Sequence, residues 1–246
     1  MPDPGLSRGP VLCLGVHPDD LELSMGAALL ALARAGVALH VWIATDGERG
    51  TRQPARGSRR DEARAALAPL GVVPTFGGLP DGALAEVMDL EATVAALAAR
   101  ARPALVFGPT AADPHADHAA LGRSLDRLEA APGWPPTWRW LDAGPAVEPT
   151  HFLDPGPSAA EKLRLIGYHR SQIPGPGEPR DHLPGGLDIV ERAEARDRSQ
   201  GVRFGRASLE PFLAPAGRRG EGPRLLDGVR GFFGGGAPGS AEGGLR

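Results

Sequence analysis

Two short clusters of histidine and carboxylate carry the chemistry of this 246-residue chain: His17-Pro18-Asp19-Asp20 and His115-Ala116-Asp117-His118. Each follows an apolar run that reads as a strand, residues 11–16 and 104–107. A hydrolytic zinc site takes three protein ligands and leaves one position for water. Two histidines and one aspartate from these clusters would fill that quota. His17 and Asp20 share a strand-to-helix turn and can face one ion, with His118 the best third ligand. Asp19, beside the ligands, is placed to take a proton from water that the ion has acidified. His115 is suited to hydrogen-bond a developing oxyanion or protonate a leaving amine. Asp117 can hold a histidine in one tautomer. A single His-Pro-Asp-Asp turn would read as a helix N-cap. Two such clusters, each ending a strand, favour the metal.

The elements that must position these residues follow in order. Leu23, Met25, Leu29, Leu30 and Leu32 recur at helical spacing, with Gly36 as a stop. Residues 39–44 read as a buried strand and 45–57 as a Gly/Arg-rich loop. Ser58 with Asp61 marks a helix start, carried to Leu70 and stopped by Gly71. A short strand over 72–76, a loop over 77–84 holding Pro80-Asp81-Gly82, and a helix over 89–101 lead to the strand 104–108. A helix over 117–130 follows the second cluster. This alternation predicts an α/β fold, a mostly parallel sheet with helices on both faces. In such sheets ligands bind at the carboxyl ends of strands, where both clusters fall. Beyond it lie weak strands at 138–141 and 151–153, a Ser158/Glu161 capping box opening a helix to about His169, a Pro/Gly loop over 173–185, and a helix over 187–199. Residues 1–215 read as one domain. The Gly/Pro/Arg-rich stretch 216–246 reads as a disordered, dispensable tail, with Phe232 and Phe233 as side chains able to dock.

Composition narrows the class. The chain is 41% hydrophobic and 23% charged with a net charge of -3, so nothing argues for a nucleic-acid partner. Cys13 is the only cysteine and reads as a buried thiol. No apolar run approaches a membrane span, and the first residues lack a signal-peptide pattern. The expectation is a cytoplasmic protein without a membrane partner. His40, His151, His169 and His182 read as surface or packing residues. Arg49, Arg52, Arg56, Arg59 and Arg60 would by default form a solvated basic loop, and Asp81 a turn residue.

On these residues the chain resembles the LmbE-like (PIG-L) family of zinc-dependent N-acetylglucosaminyl deacetylases. The first family motif is matched by HPDDLELSMGAAL, with Glu22 after Leu21 as in the Asp-Asp-x-Glu branch. The second is matched by Asp113-Pro114-His115-Ala116-Asp117-His118, with Ala116 for the usual Pro. Arg59-x-x-Glu62, Pro80-Asp81-Gly82, Lys162, Ser171-Gln172, Ala195-Arg196, Gly201, Gly205, Glu210 and Phe212 extend the likeness over residues 10–213. The resemblance implies the Rossmann-like LmbE fold and a zinc ion, or another divalent metal, on His17, Asp20 and His118. It implies Asp19 as general base, His115 as electrophilic or acid group, Asp117 as support for a histidine, and Arg59 and Asp81 as sugar contacts. It also implies a trimer or hexamer and a small glucosamine conjugate as substrate. The nearest branch by spacing is the bacillithiol type, which deacetylates N-acetylglucosaminyl malate. Inositol and mycothiol conjugates or chito-oligosaccharides are the alternative substrates, a different metal-dependent amidase or esterase on the same site is the second reading, and a sugar- or nucleotide-binding module without catalysis is the non-enzymatic one. The stretch 15–26 lacks Gly-x-Gly-x-x-Gly, which weakens dinucleotide binding.

Overall fold

The computed structural model describes residues 9–50, 58–142, 147–180, 183–218 and 223–233. Arg52, Arg56, His182 and the chain beyond 233 lie outside the described residues.

Five strands form the parallel half of the sheet: β1 (Val11–Gly15), β2 (Leu39–Thr45), β3 (Thr75–Leu79), β4 (Leu105–Gly108) and β5 (Thr137–Trp140). They lie in the order β3-β2-β1-β4-β5. Three short strands extend the sheet: β6 (His151–Leu153), β7 (Glu210–Leu213) and β8 (Arg224–Leu225). β7 pairs antiparallel with β5 and β6, and β8 runs parallel to β6. The strand order reverses between β1 and β4, and such a switch point opens a crevice at the carboxyl ends. His17 follows β1 and His115 follows β4, so both clusters meet there.

The two-residue period of the strands sorts the core onto two faces. Val11, Cys13, Val41, Ile43 and Phe107 pack with α1 (Asp20–Arg34) and α2 (Arg59–Leu67). Leu12, Leu14, Trp42, Ala44 and Val106 pack with α3 (Leu90–Ala101) and α4 (Ala116–Glu129). α5 (Ala159–Ile166) and α6 (Ile189–Arg203) form an outer layer, meeting α1 through Leu23, Ile166, Ile189 and Ala193. Among the described residues no helix is long and apolar enough to cross a membrane.

Four expectations are corrected. β3 begins at Thr75, three residues later than its β-branched start at Val72 suggested, and runs to Leu79. Its two glycines, which read as loop, lie at the sheet edge; a Cβ on Gly77 would come 2.7 Å from Trp42. Ser158 is not a capping-box residue: its hydroxyl accepts from Arg34, and Glu161 also pairs with Arg34. The capping box belongs to Asp188 and Glu191, at the start of α6, which ends at Arg203 rather than 199. Finally, part of the expected tail is ordered. β8 joins the sheet, α7 (Arg230–Phe233) follows, and Phe232 is fully buried against Phe107, Trp138 and Phe212. Aromatic burial there outweighs the backbone entropy that glycine-rich composition emphasises.

Candidate metal centre and active site

The β1–α1 turn delivers three carboxylate and imidazole groups within four residues. Asp20 opens α1, and its Oδ2 accepts the backbone N–H of Val16 (2.8 Å) and of His17 (2.7 Å). This fixes the carboxylate and turns Oδ1 outward. Oδ1 stands 3.7 Å from His17 Nδ1 and 3.3 Å from His118 Nε2, and those two nitrogens are 3.2 Å apart. Ligand atoms about 2.1 Å from a tetrahedral ion lie about 3.4 Å from one another. The three atoms thus have the edge lengths of one face of such a site, and two imidazoles with one carboxylate suit zinc. All three side chains are buried.

The α4 N-terminus brings in His118, and close packing sets its position. Gly122, one turn further on, lies against the loop after β4; a Cβ there would be 2.4 Å from the backbone of Thr110 and Ala111. Trp140 meets the His118 ring edge-on at 5.3 Å and anchors itself by donating to Leu14 O.

The groups around the candidate ligands have partners that the sequence alone did not indicate. Asp81, assigned to the sugar by resemblance, has Oδ1 3.1 Å from His17 Nε2 and Oδ2 accepting the Arg49 amide. It is the carboxylate that orients His17. Asp117, assigned to that kind of support, instead accepts the N–H groups of Gly82 (2.6 Å) and Leu84 (3.0 Å), pinning the Pro80-Asp81-Gly82 loop to α4. Its own Oδ2 is 3.7 Å from His17 Nε2. Asp113, given no role from the sequence, lies 3.3 Å from His118 Nδ1 and accepts the His115 amide. The signal for it was its place at the head of the second motif. Arg59, also assigned to the sugar, is buried and bonds Asp19 Oδ1 (2.7 Å) and Gly47 O (3.0 Å).

Asp19 precedes α1 yet makes no capping bond, so the helix-cap reading fails for it. Arg59 holds its Oδ1, and among the described residues no donor is bonded to its Oδ2. His115 caps α4 instead: its Nδ1 accepts the Asp117 amide at 3.3 Å. In the neutral ring the proton then sits on Nε2. Its ring centre is 4.8 Å from that of His17 and 4.7 Å from that of His118. His17, His115 and His118 can each offer a nitrogen within 4.8 Å of the others, and so can His17 with a carboxylate oxygen each from Asp81 and Asp117. Asp117 already spends both oxygens on backbone amides, which favours the Asp20 side for an ion.

Electrostatics sorts the groups. Burial works to lower the His17 pKa, but Asp20 and Asp81 outweigh it and push it up to about 9. His118 is likewise raised against burial by Asp20 and Asp113. Asp20 is held well below the carboxylate range by both histidines despite its burial. The hydrogen bond from His17, with the Arg49 amide, brings Asp81 down to about 2. His115 moves the other way: burial, then the positive charge of His118 and His17, lowers it and keeps it neutral. A cation on the outward atoms of His17, Asp20 and His118 would replace the two imidazolium protons.

Comparison with known proteins gives a consistent picture. Residues 12–128 match the PIG-L family, described as GlcNAc-PI de-N-acetylase. A 64-residue stretch is 41% identical to the uncharacterized deacetylase YaiS of Escherichia coli K12, covering 26% of this chain and 34% of that protein. The conserved protein TT1542 of Thermus thermophilus superposes with a TM-score of 0.69 at 27% identity, over 84% of this chain and 94% of that one. The N,N'-diacetylchitobiose deacetylase of Pyrococcus horikoshii gives 0.70 at 22% identity, over 87% and 86%. GalB, the 4-carboxy-2-hydroxymuconate hydratase of Pseudomonas putida, gives 0.64 at 21% identity, over 84% and 95%. The last two likenesses are of fold, and that fold serves different reactions.

Proposed function

We propose that this chain, whose residues 12–128 match the PIG-L family, is a zinc-dependent hydrolase that removes the N-acetyl group of a small N-acetylglucosamine conjugate. The observation that carries this reading is the triangle of His17 Nδ1, Asp20 Oδ1 and His118 Nε2, with edges of 3.2 to 3.7 Å. An ion held there would supply a Lewis acid for the water and the acetamide carbonyl. Asp19 takes the proton of the attacking water on Oδ2, which has no bonded donor among the described residues, while Arg59 keeps the carboxylate in place. The neutral His115 presents Nε2–H to the developing oxyanion. As the C–N bond breaks, acetate forms and the amine nitrogen receives the proton that Asp19 took from the water.

The identity of the conjugate turns on the arginines around the 45–57 loop. Arg59 is spent on Asp19, and Arg60 on Asp46 and the face of Phe76. Arg49 is exposed and makes no ion pair among the described residues. Its backbone is tied to Asp81, and its guanidinium lies over Gly82, where a Cβ would meet Nη1 at 2.3 Å. An arginine at that mouth suits a carboxylate on the aglycone. This supports N-acetylglucosaminyl malate ahead of inositol conjugates or chito-oligosaccharides.

The test is amine release from a panel of N-acetylglucosaminyl compounds, with metal analysis of wild type and His118→Ala. We expect zinc with turnover in the wild type and loss of both in the variant. Full occupancy and activity in His118→Ala would refute the ligand set. Equal kcat/KM for malate, inositol and free N-acetylglucosamine would refute carboxylate recognition alone.

A further inference from the structure

Helix α1, whose first turn carries Asp20, is broken. Met25 departs from helical geometry at φ -141° and ψ 28°. In an unbroken helix the Ala27 amide would donate to the Leu23 carbonyl. Both groups have found charged partners instead. The Ala27 and Ala28 amides donate to the two oxygens of Glu210, at 3.0 and 2.9 Å. The Leu23 carbonyl accepts from Arg196 Nη2 at 2.7 Å. Glu210 therefore caps the second half of α1 as an N-cap side chain would, from a strand remote in sequence.

Glu210 and Arg196 belong to a charged set with Lys162 and Asp197, largely out of solvent, with Asp142 3.8 Å from Arg196 at its edge. Lys162 Nζ bonds Glu210 Oε1 (2.7 Å) and Asp197 Oδ2 (2.6 Å). Arg196 bonds Asp197 Oδ1 through Nε and Nη2 and reaches Leu141 O through Nη1. The Lys162 stem crosses the break itself; a Cβ on Gly26 would come 2.8 Å from Lys162 Cγ. Four charges in the interior are costly unless each is paired, and here each is also hydrogen-bonded.

We propose that Glu210, Arg196 and Lys162 are positioning residues of the metal site: they hold α1 broken at Met25 and so aim the turn bearing Asp19 and Asp20. None of them lies among the candidate ligands, the base or His115. The inference rests on the metal-site reading above. It concerns how the site is set rather than which substrate it takes.

The test uses the full-length protein and two variants. Glu210→Gln turns one acceptor into a donor that must face Lys162 or the Ala28 amide. Arg196→Lys keeps the charge but cannot serve Leu23, Leu141 and Asp197 together. Zinc affinity is measured on folded protein by chelator competition, with kcat and KM on the best conjugate and thermal melting alongside. Groups that support metal ligands are worth about ten- to a hundred-fold in affinity or activity. We expect losses of that size in zinc affinity and kcat, with KM little changed. Wild-type zinc affinity in folded variants, with only a lower melting temperature, would overturn the proposal. Should Glu210→Gln fail to fold, Arg196→Lys decides. Should no conjugate be turned over even by the wild type, the proposed function fails, and the zinc arm still decides this inference.

Discussion

Asp19 and Asp20 are chain neighbours with separate tasks, because successive residues entering a helix point about 100° apart. Asp20 is locked by two backbone amides and faces the histidines, while Asp19 turns to Arg59. Asp19→Asn keeps the shape but cannot accept a proton. Zinc content should stay at the wild-type level while kcat falls by about a hundred- to ten-thousand-fold, the usual worth of a general base. Turnover within a few-fold of wild type would make Asp19 structural. The raised histidines give a pH prediction. His17 is lifted from 6.5 to about 9 without metal, so its charged form stabilises the metal-free fold fully below pH 6.5. That contribution is lost as pH rises through 9. Zinc needs the neutral ring, so its affinity should climb over the same window, with proton release. Calorimetry in buffers of different ionisation enthalpy checks this; a pH-independent affinity with no proton release would refute it. The types of these residues were legible from the sequence. The partners were not, since the pairing of Asp81 with His17, or Arg59 with Asp19, depends on strand order rather than local spacing.

Between elements, β1, β2 and β4 and the helices that follow them were readable because apolar period and glycine stops agree there. The break in α1 was hidden. Leu23, Met25, Leu29, Leu30 and Leu32 keep one helical stripe across it, and the groups that hold it open come from α5, α6 and β7. The β3 register was misread because Val72 and Val73 have strand character, yet Val73 is 81% exposed. The seat of α4 depends on Gly122. Gly122→Ala must push the helix from Thr110 and Ala111, and such overpacking costs about 1–3 kcal/mol. We expect that loss in urea titrations, with weaker zinc binding because His118 moves with the helix. Unchanged stability would show that the loop yields instead.

Across the whole molecule, composition misled at the C-terminus. Few side chains there are apolar, but Phe232 closes the aromatic cluster under β5, its carbonyl accepts from Trp138 Nε1, and Arg218 bonds the carbonyls of Gly231 and Phe232. Phe232→Ala should cost about 3–5 kcal/mol, the range for a buried phenylalanine. A chain ending at Ala214 should melt lower than the full-length protein. An unchanged melting temperature in both would return this segment to the role its composition suggests. At the opposite extreme of order sits Cys13, fully buried in β1 between β2 and β4, its thiol pushed up to about 12 by burial. A thiol reagent can reach it only when the central strand parts from its neighbours. Since no other cysteine competes, the labelling rate is a single-site clock for opening of the strand that leads into His17. Ligands that bind only the folded form suppress opening in proportion to their occupancy. The slowing of that clock by zinc would therefore measure, without any substrate, how firmly the ion fastens the centre of the sheet.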